Sequence, residues 1–201
     1  MFAPKPVTLS TEKVTLKPLT MEHLDDYYKA GAFPDLWCWV LPNQCESKSQ
    51  AETWLLHLQK LVEQEQHVVF AIFDNHSDEF VGSTQYCSIV KADRSLEIGF
   101  TFITPKYQRS YINTHAKYCL LKHAFEELNA IRVQFKTDER NDKSRNAIGR
   151  LGAKFEGVLR HQRILPDGNF RNTALYSIIN TEWQAVKQSL MSKMHIAMKT
   201  K

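Results

Sequence analysis

No Cys-x-x-Cys pair occurs among the four cysteines, Cys38, Cys45, Cys87 and Cys119, and no histidine stands at finger-like spacing from them. That distribution argues against a structural metal or a disulfide framework and for reduced thiols. No apolar run approaches the length of a membrane span, and the opening MFAPKPVTLS has no apolar core of a signal peptide. The expected compartment is the cytoplasm, with no membrane partner. No run of five or six positive charges is present, and a formal net charge of +4 permits an anionic ligand without making the concentrated basic surface of a nucleic-acid binder. Direct nucleic-acid binding is therefore not expected. With no internal repeat, low-complexity block or linker in 201 residues, residues 1–201 read as one domain with a core of ordinary size.

What is present is an interleaving of two periods, which points to an α/β (α+β) layer arrangement. Alternation predicts strands over 12–19, 68–73, 80–90, the stretch beginning at Ser95, 131–135, 153–165 and 170–180, about seven in all. Helical spacing predicts a short helix after Thr20, a second from Ser47 or Ser49 with Ala51, Trp54, Leu55 and Leu58 inward, and a third over 113–128. A fourth runs from Asn141 to Leu151 with Gly152 as its left-handed stop, and a last helix is capped by Thr181. In that last helix Trp183, Val186, Leu190, Met194 and Ala197 line up. The tight turn at 166–169 joins the last two strands.

Residues 95–128 organise the rest. Leu96, Ile98, Phe100 and Phe102 alternate with Glu97, Gly99 and Thr101, so the first set shares one face of a strand. Pro105 ends it. A polar turn, Tyr107 to Asn113, then leads into the stripe Ala116, Leu120, Leu121, Ala124, Phe125 and Leu128. A strand, a polar turn and a helix N-terminus leave backbone N–H groups free to meet an anion.

The segment resembles the acyl-CoA-binding motif of the GNAT superfamily of N-acetyltransferases, in particular its RimJ/RimL-like (ribosomal-protein N-terminal acetyltransferase-like) branch. The likeness is carried by EIGF (97–100), QRSYINTHA (108–116), HAFEEL (123–128), IRVQFKTDERNDKSRNAIGRLGAKFEGVLR (131–160) and LPDGNFRNTALYSI (165–178). It implies a mixed, mostly antiparallel central sheet flanked by helices, and acetyl-CoA as the donor co-substrate with no metal. The acceptor would be a primary amine, either a small molecule or the α-amine of a protein N-terminus. Phe102, Ile103, Gln108, Arg109, Ser110, Tyr111, Ile112, Asn113 and Thr114 would bind the donor, with Arg109 and Tyr111 standing where glycines are common in the family and Asn113 at the last position. Asn141 would contact the pantetheine arm, and Ser144 would lie near the thioester sulfur as a proton donor. On plain grounds the same N-x-x-S is a helix N-terminus, and capping is compatible with ligand contact.

Glu97 is the candidate base. A carboxylate inside an apolar strand is costly to bury, so it must face a polar cleft or hold a raised pKa, and both suit a group that takes the amine's proton. A wet strand edge or a pairing with an arginine is the other reading of Glu97. The loop around Trp37 and Trp39 holds either hydrophobic plugs or an acceptor-contact surface. Within the family layout that loop and the turn 74–79 would flank the acceptor. A non-catalytic acyl-CoA-binding or regulatory module is the alternative function, motivated by the glycine-poor turn. A homodimer through the edge of the 165–179 hairpin is compatible with the pattern.

Overall fold

The computed structural model describes residues 2–40, 42–165 and 167–199, the last five of these by backbone only. In chain order the elements are β1 (Leu9–Ser10), β2 (Val14–Pro18), α1 (Leu24–Gly31), α2 (Lys48–Glu63), β3 (Val68–Asp74), β4 (Glu79–Val90) and β5 (Ser95–Ile103). Then come α3 (Ile112–Lys122), β6 (Arg132–Asp138), α4 (Asp142–Leu151), β7 (Lys154–Ile164), β8 (Phe170–Ile179) and α5 (Trp183–Lys199). One sheet takes the strands in the order β1-β2-β3-β4-β5-β6-β8-β7. Every pairing is antiparallel except β5 with β6. The eighth strand, beyond the seven that alternation predicts, is β1, whose two residues pair with Leu16 and Thr15. Two residues are too few to show a period.

Local chemistry explains most boundaries. Ser47 accepts a hydrogen bond from the Gln50 N–H at 3.1 Å and starts α2. Thr20 opens a single 3₁₀ turn before α1, and His23 at the third position accepts from the Thr20 N–H at 3.1 Å, the job that Glu does in a capping box. Gly152, at φ +97, closes α4. Thr181 does not cap the last helix. It lies inside a 3₁₀ turn, and Glu182 accepts from the Ile179 N–H at 3.1 Å instead. The helix expected over 113–128 is α3 followed by a wider turn at His123–Glu127, where the Leu128 N–H reaches back five residues to the His123 carbonyl at 3.0 Å. Of the last helix's predicted stripe, Trp183, Val186 and Leu190 are buried. Ala197 lies outside the described side chains, as Pro166 of the predicted turn lies outside the described residues.

Two apolar clusters cover the two faces of the sheet. The larger joins Leu96, Ile98, Val133 and Phe135 to Leu120 and Leu121 of α3, Ile148 of α4 and Trp183 of α5. The smaller joins Tyr27 of α1, Leu55 of α2, Trp37 and Phe102. Phe102 therefore does not share a face with Leu96 and Ile98. Gln85 opposes Gly99 while Ser83 opposes Phe102, so β5 holds one residue more than β4 there, and Phe100 takes φ +48. A bulge of this kind reverses the alternation beyond it. It sends Phe102 to Tyr27 and Trp37 (ring centroids 5.2 Å from each) and turns Thr101 toward α3.

Thr101 and Thr84 receive a buried lysine. Lys117 of α3 donates to Thr101 Oγ1 at 2.6 Å and to Thr84 Oγ1 at 3.1 Å, and those two hydroxyls lie 2.8 Å apart. No carboxylate pairs with it among the described residues, and burial pushes its amine down from 10.5 to about 7. The unfolded chain then binds more protons than the folded one between about pH 7 and 10.5, so this group makes stability rise with pH across that window. The cost at neutral pH is on the order of 4 kcal/mol. Lys117→Met, whose thioether takes the place of the lysine stem while the threonines keep each other, should raise the free energy of unfolding measured in urea at pH 7. The gain should shrink toward pH 10.5, and an equal gain at both pH values would show that the lysine is not desolvated.

Candidate active site: an opening between two parallel strands

β5 and β6 are paired only through Ser95–Arg132, Leu96–Val133 and Glu97–Gln134. Beyond Glu97, β5 stays bonded to β4 and β6 to β8, so the two strands diverge. The bulge at Phe100 drives this, because an extra residue bends and twists its strand away from the neighbour. On the β6 side, residues 98–103 have no ladder partner, and main-chain polar groups left so must be met by something else.

The N-termini of α3 and α4 stand at the open end. In the first turn of α3, the Asn113 and Thr114 N–H groups have no intrahelical acceptor, and the Ile112 N–H takes Ser110 Oγ at 3.3 Å. Arg109 sits at φ +59, the left-handed region that glycine occupies freely and an L-residue occupies at a cost of about 1 kcal/mol. Tyr111, at φ −69, needs no glycine. Gln108 locks the turn in place by donating to the Ile103 carbonyl at 2.9 Å, while its Oε1 accepts from Lys143 Nζ at 2.5 Å. Lys143 belongs to the first turn of α4, so this bond bridges the two helix ends. The arrangement offers an anion two cations, Arg109 and Lys143, with free N–H groups between them.

A second set of bonds anchors the turn from behind. The Tyr111 hydroxyl donates to Asp74 Oδ1 at 2.6 Å, Ser77 donates to Asp74 Oδ2 at 2.8 Å, and the Tyr107 hydroxyl donates to Glu79 Oε2 at 2.7 Å. Burial would raise the Asp74 carboxyl, but the Tyr111 and Ser77 donors outweigh it and hold it below its ordinary value. Tyr111 itself is pushed up to about 12 by burial and by Asp74. The turn 74–79 therefore supports the turn before α3. Tyr111 is committed to Asp74, and His115, buried with Nδ1 2.9 Å from Thr11 Oγ1, is held neutral by burial.

At the closed end, Glu97 is 7% exposed. Its Oε2 faces Lys136 Nζ at 3.0 Å, Ser88 Oγ at 3.3 Å and Gln134 Nε2 at 3.4 Å. The ion pair is with lysine. Oε1 lies toward Gly99, where a Cβ would approach it to 3.2 Å, so the missing side chain leaves that oxygen its room. Across the opening, Asn141 Oδ1 accepts from the Ser144 N–H at 3.0 Å and caps α4. Among the described residues, the Ser144 hydroxyl has no partner.

The two tryptophans separate. Trp37 is 3% exposed, and its indole N–H donates to the Gly31 carbonyl at 2.8 Å, so it is a core plug against Phe102. Trp39 lines a cavity of about 290 Å³ between its loop and the β7–β8 hairpin, with Asp138, Arg140, Arg163 and Arg171. The side chain of Phe102 faces the smaller cluster, which leaves only its backbone to meet a ligand in the opening.

Sequence patterns missed Lys143, Arg163 and Arg171. One signal was available for Lys143, since a cation in the first turn of a helix opposes the helix dipole and asks for a reason. The arginines carry no local signal. They become neighbours only when β7 pairs with β8.

The strand, polar turn and helix N-terminus on which the family resemblance is carried thus stand together at this opening. Residues 13–154, more than half of the chain, match the acetyltransferase (GNAT) domain family. The chain belongs to that family and is an N-acetyltransferase. A GCN5-related N-acetyltransferase from Brucella melitensis is similar at 26% identity and TM-score 0.88, covering 96% of this chain and 87% of that one. A probable acetyltransferase of the GNAT family from Chromobacterium violaceum is similar at 29% identity and TM-score 0.83, covering 92% of each chain. RimJ from Mycobacterium smegmatis, solved in complex with CoA-disulfide, shares the fold at 21% identity and TM-score 0.81 over 94% of this chain and 95% of that one. No curated protein matches the chain.

Tyr111→Phe removes the hydroxyl that holds the turn to Asp74. Loss of a bond to a buried carboxylate should lower stability by about 1.5–3 kcal/mol at pH 7. Because Asp74 is held below its ordinary 3.8, the contribution is present above that pH and fades as the carboxylate protonates below it. Urea unfolding at pH 7 and pH 3 measures both, and an unchanged midpoint at pH 7 would show that the anchor does not matter.

Proposed function

We propose that the chain transfers the acetyl group of acetyl-CoA to a primary amine by direct attack, with donor and acceptor bound together. The observation that carries this is the divergence of β5 from β6 beyond Glu97, with unpaired main-chain groups along one wall and two helix N-termini at its mouth. The diphosphate of the donor suits the turn Gln108–Thr114, where Arg109, Lys143 and the free N–H groups supply positive charge. The pantetheine arm runs along the β5 wall past Ile103, and Asn141, whose side-chain carbonyl caps α4, has its amide N–H groups left to meet it.

In the reaction the ammonium first loses a proton, to Glu97 Oε1 directly or through a water. The nitrogen lone pair then attacks the thioester carbonyl, the carbon–sulfur bond breaks as the carbonyl reforms, the thiolate leaves with a proton from the Ser144 hydroxyl, and the second proton shed by the nitrogen as the amide forms returns the serine to its hydroxyl. Lys136, Ser88 and Gln134 fix the other carboxylate oxygen, which keeps Oε1 oriented. The likeness to RimJ-type structures supports the α-amine of a protein chain as one acceptor class and small amines as the other. A homodimer through the β7 edge is supported by apolar side chains there, among them Ile164 at 75% exposure. A cytoplasmic place of action agrees with four free thiols. Among the described residues, no helix is long and apolar enough to cross a membrane.

Thiol release from acetyl-CoA, followed with and without a panel of amines, tests the proposal. Amine-dependent release is expected. Glu97→Gln should lower kcat by about 100-fold or more with little change in acetyl-CoA affinity, and Ser144→Ala should slow thiolate departure. Donor binding without amine-dependent release across the panel would overturn the reaction. An unchanged rate and pH profile in either variant would remove that residue from the mechanism.

A further inference from the structure

Arg163 and Arg171 stand directly opposite each other in the β7–β8 ladder. Like charges in that relation repel, and a folded chain tolerates them only where something offsets the charge. Among the described residues, nothing does so fully. Asp138 is the nearest carboxylate, but its two oxygens take Arg140 in a two-point grip, Nε to Oδ1 at 2.9 Å and Nη2 to Oδ2 at 2.8 Å. Arg171 Nε is left 3.9 Å from Asp138 Oδ2, and it is a buried donor with no hydrogen-bond acceptor. The Arg171 side chain is only 12% exposed. Arg163 has no carboxylate partner among the described residues and lies over the Phe100 ring at 5.9 Å.

All of these groups face one space. The cavity beside Trp39 is lined by three guanidinium groups, Arg140, Arg163 and Arg171, against the single carboxylate of Asp138. A buried guanidinium with an unmet N–H is costly, and a carboxylate is the group whose two oxygens match its fork. The cavity also adjoins the opening, since Arg163 lies over the ring of Phe100, in the part of β5 that has diverged from β6. Among the described residues, no carboxylate other than Asp138 lines it. Asp74 and Glu79 are spent on the turn behind the α3 N-terminus.

We infer that this cavity is the acceptor pocket and that it selects amines carrying a carboxylate, gripped by Arg163 and Arg171, over neutral and polycationic amines. Trp39 forms the apolar wall beside the carboxylate, and the amine extends from the pocket toward Glu97 Oε1. The inference rests on the amine-acetylation reading for its location and on the arginine pair for its chemistry, so two measurements separate them.

The first is calorimetric titration with glutarate and with its neutral diamide, glutaramide, on the full chain. Glutarate should bind about tenfold more tightly than glutaramide, as expected for a charge-assisted pair, and Arg163→Gln, a change on an exposed strand position, should bring the two together. The second is thiol release with matched acceptors, Ser-Asp-Ala-amide against Ser-Asn-Ala-amide, with spermidine as the polycation. The carboxylate member should show a kcat/KM higher by about tenfold, mainly through KM, and Arg163→Gln should bring that ratio toward one. Equal binding of glutarate and glutaramide by the wild type, or a preference for spermidine, overturns the inference. Selective glutarate binding that Arg163→Gln abolishes, with no thiol release from any acceptor, would uphold the carboxylate site and overturn the acetyl-transfer reading.

Discussion

Three residue pairs hold β5 parallel to β6, and the site depends on their stopping at Glu97 and Gln134. Had the pairing continued, residues 98–103 would have closed against β6 and the opening would not exist. The extra residue at Phe100 bends β5 away at the point where its ladder to β6 ends. The same bulge reverses the alternation of side chains, which moves Phe102 to the α1–α2 side and gives Lys117 its hydroxyl partners. A single inserted residue thus sets the opening, the division of the core and the environment of a buried amine.

Three buried carboxylates then divide the labour around that opening. Asp74 anchors the turn before α3 through Tyr111, Glu97 stands at the closed end with one oxygen fixed by Lys136, and Asp138 holds Arg140 at the cavity beside Trp39. Each is held by donors, on both oxygens in Asp74 and Asp138 and on Oε2 in Glu97, which limits the cost of burying a charge. The thiols take no part in this. Cys45, Cys87 and Cys119 are pushed up to about 12, chiefly by burial, and remain protonated.

Much of this was legible in the chain before folding. The period change after Pro105, the N-x-x-S at Asn141 and the stop at Gly152 all correspond to the elements found, because each depends on neighbours within one or two turns. The face assignment of Phe102 failed because a bulge has no signature in an alternating run. Trp37 and Trp39 could not be told apart, since two residues of the same type in one loop differ only in what they meet, the Gly31 carbonyl in one case and a cavity in the other. Arg163 and Arg171 were invisible for the opposite reason. Eight positions apart, they become partners only through the register set at the turn end of β7 and β8, where Ile164 opposes Phe170 beside them.

The central claim is that acetyl-CoA enters between β5 and β6, and backbone hydrogen exchange with and without acetyl-CoA tests it most directly. Protection should appear at the amides of residues 98–103 and at Asn113 and Thr114, with little change across β1, β2 and β3. Saturation with acetyl-CoA that leaves 98–103 and the first turn of α3 exchanging as before, or that protects a different face of the sheet, would contradict the account.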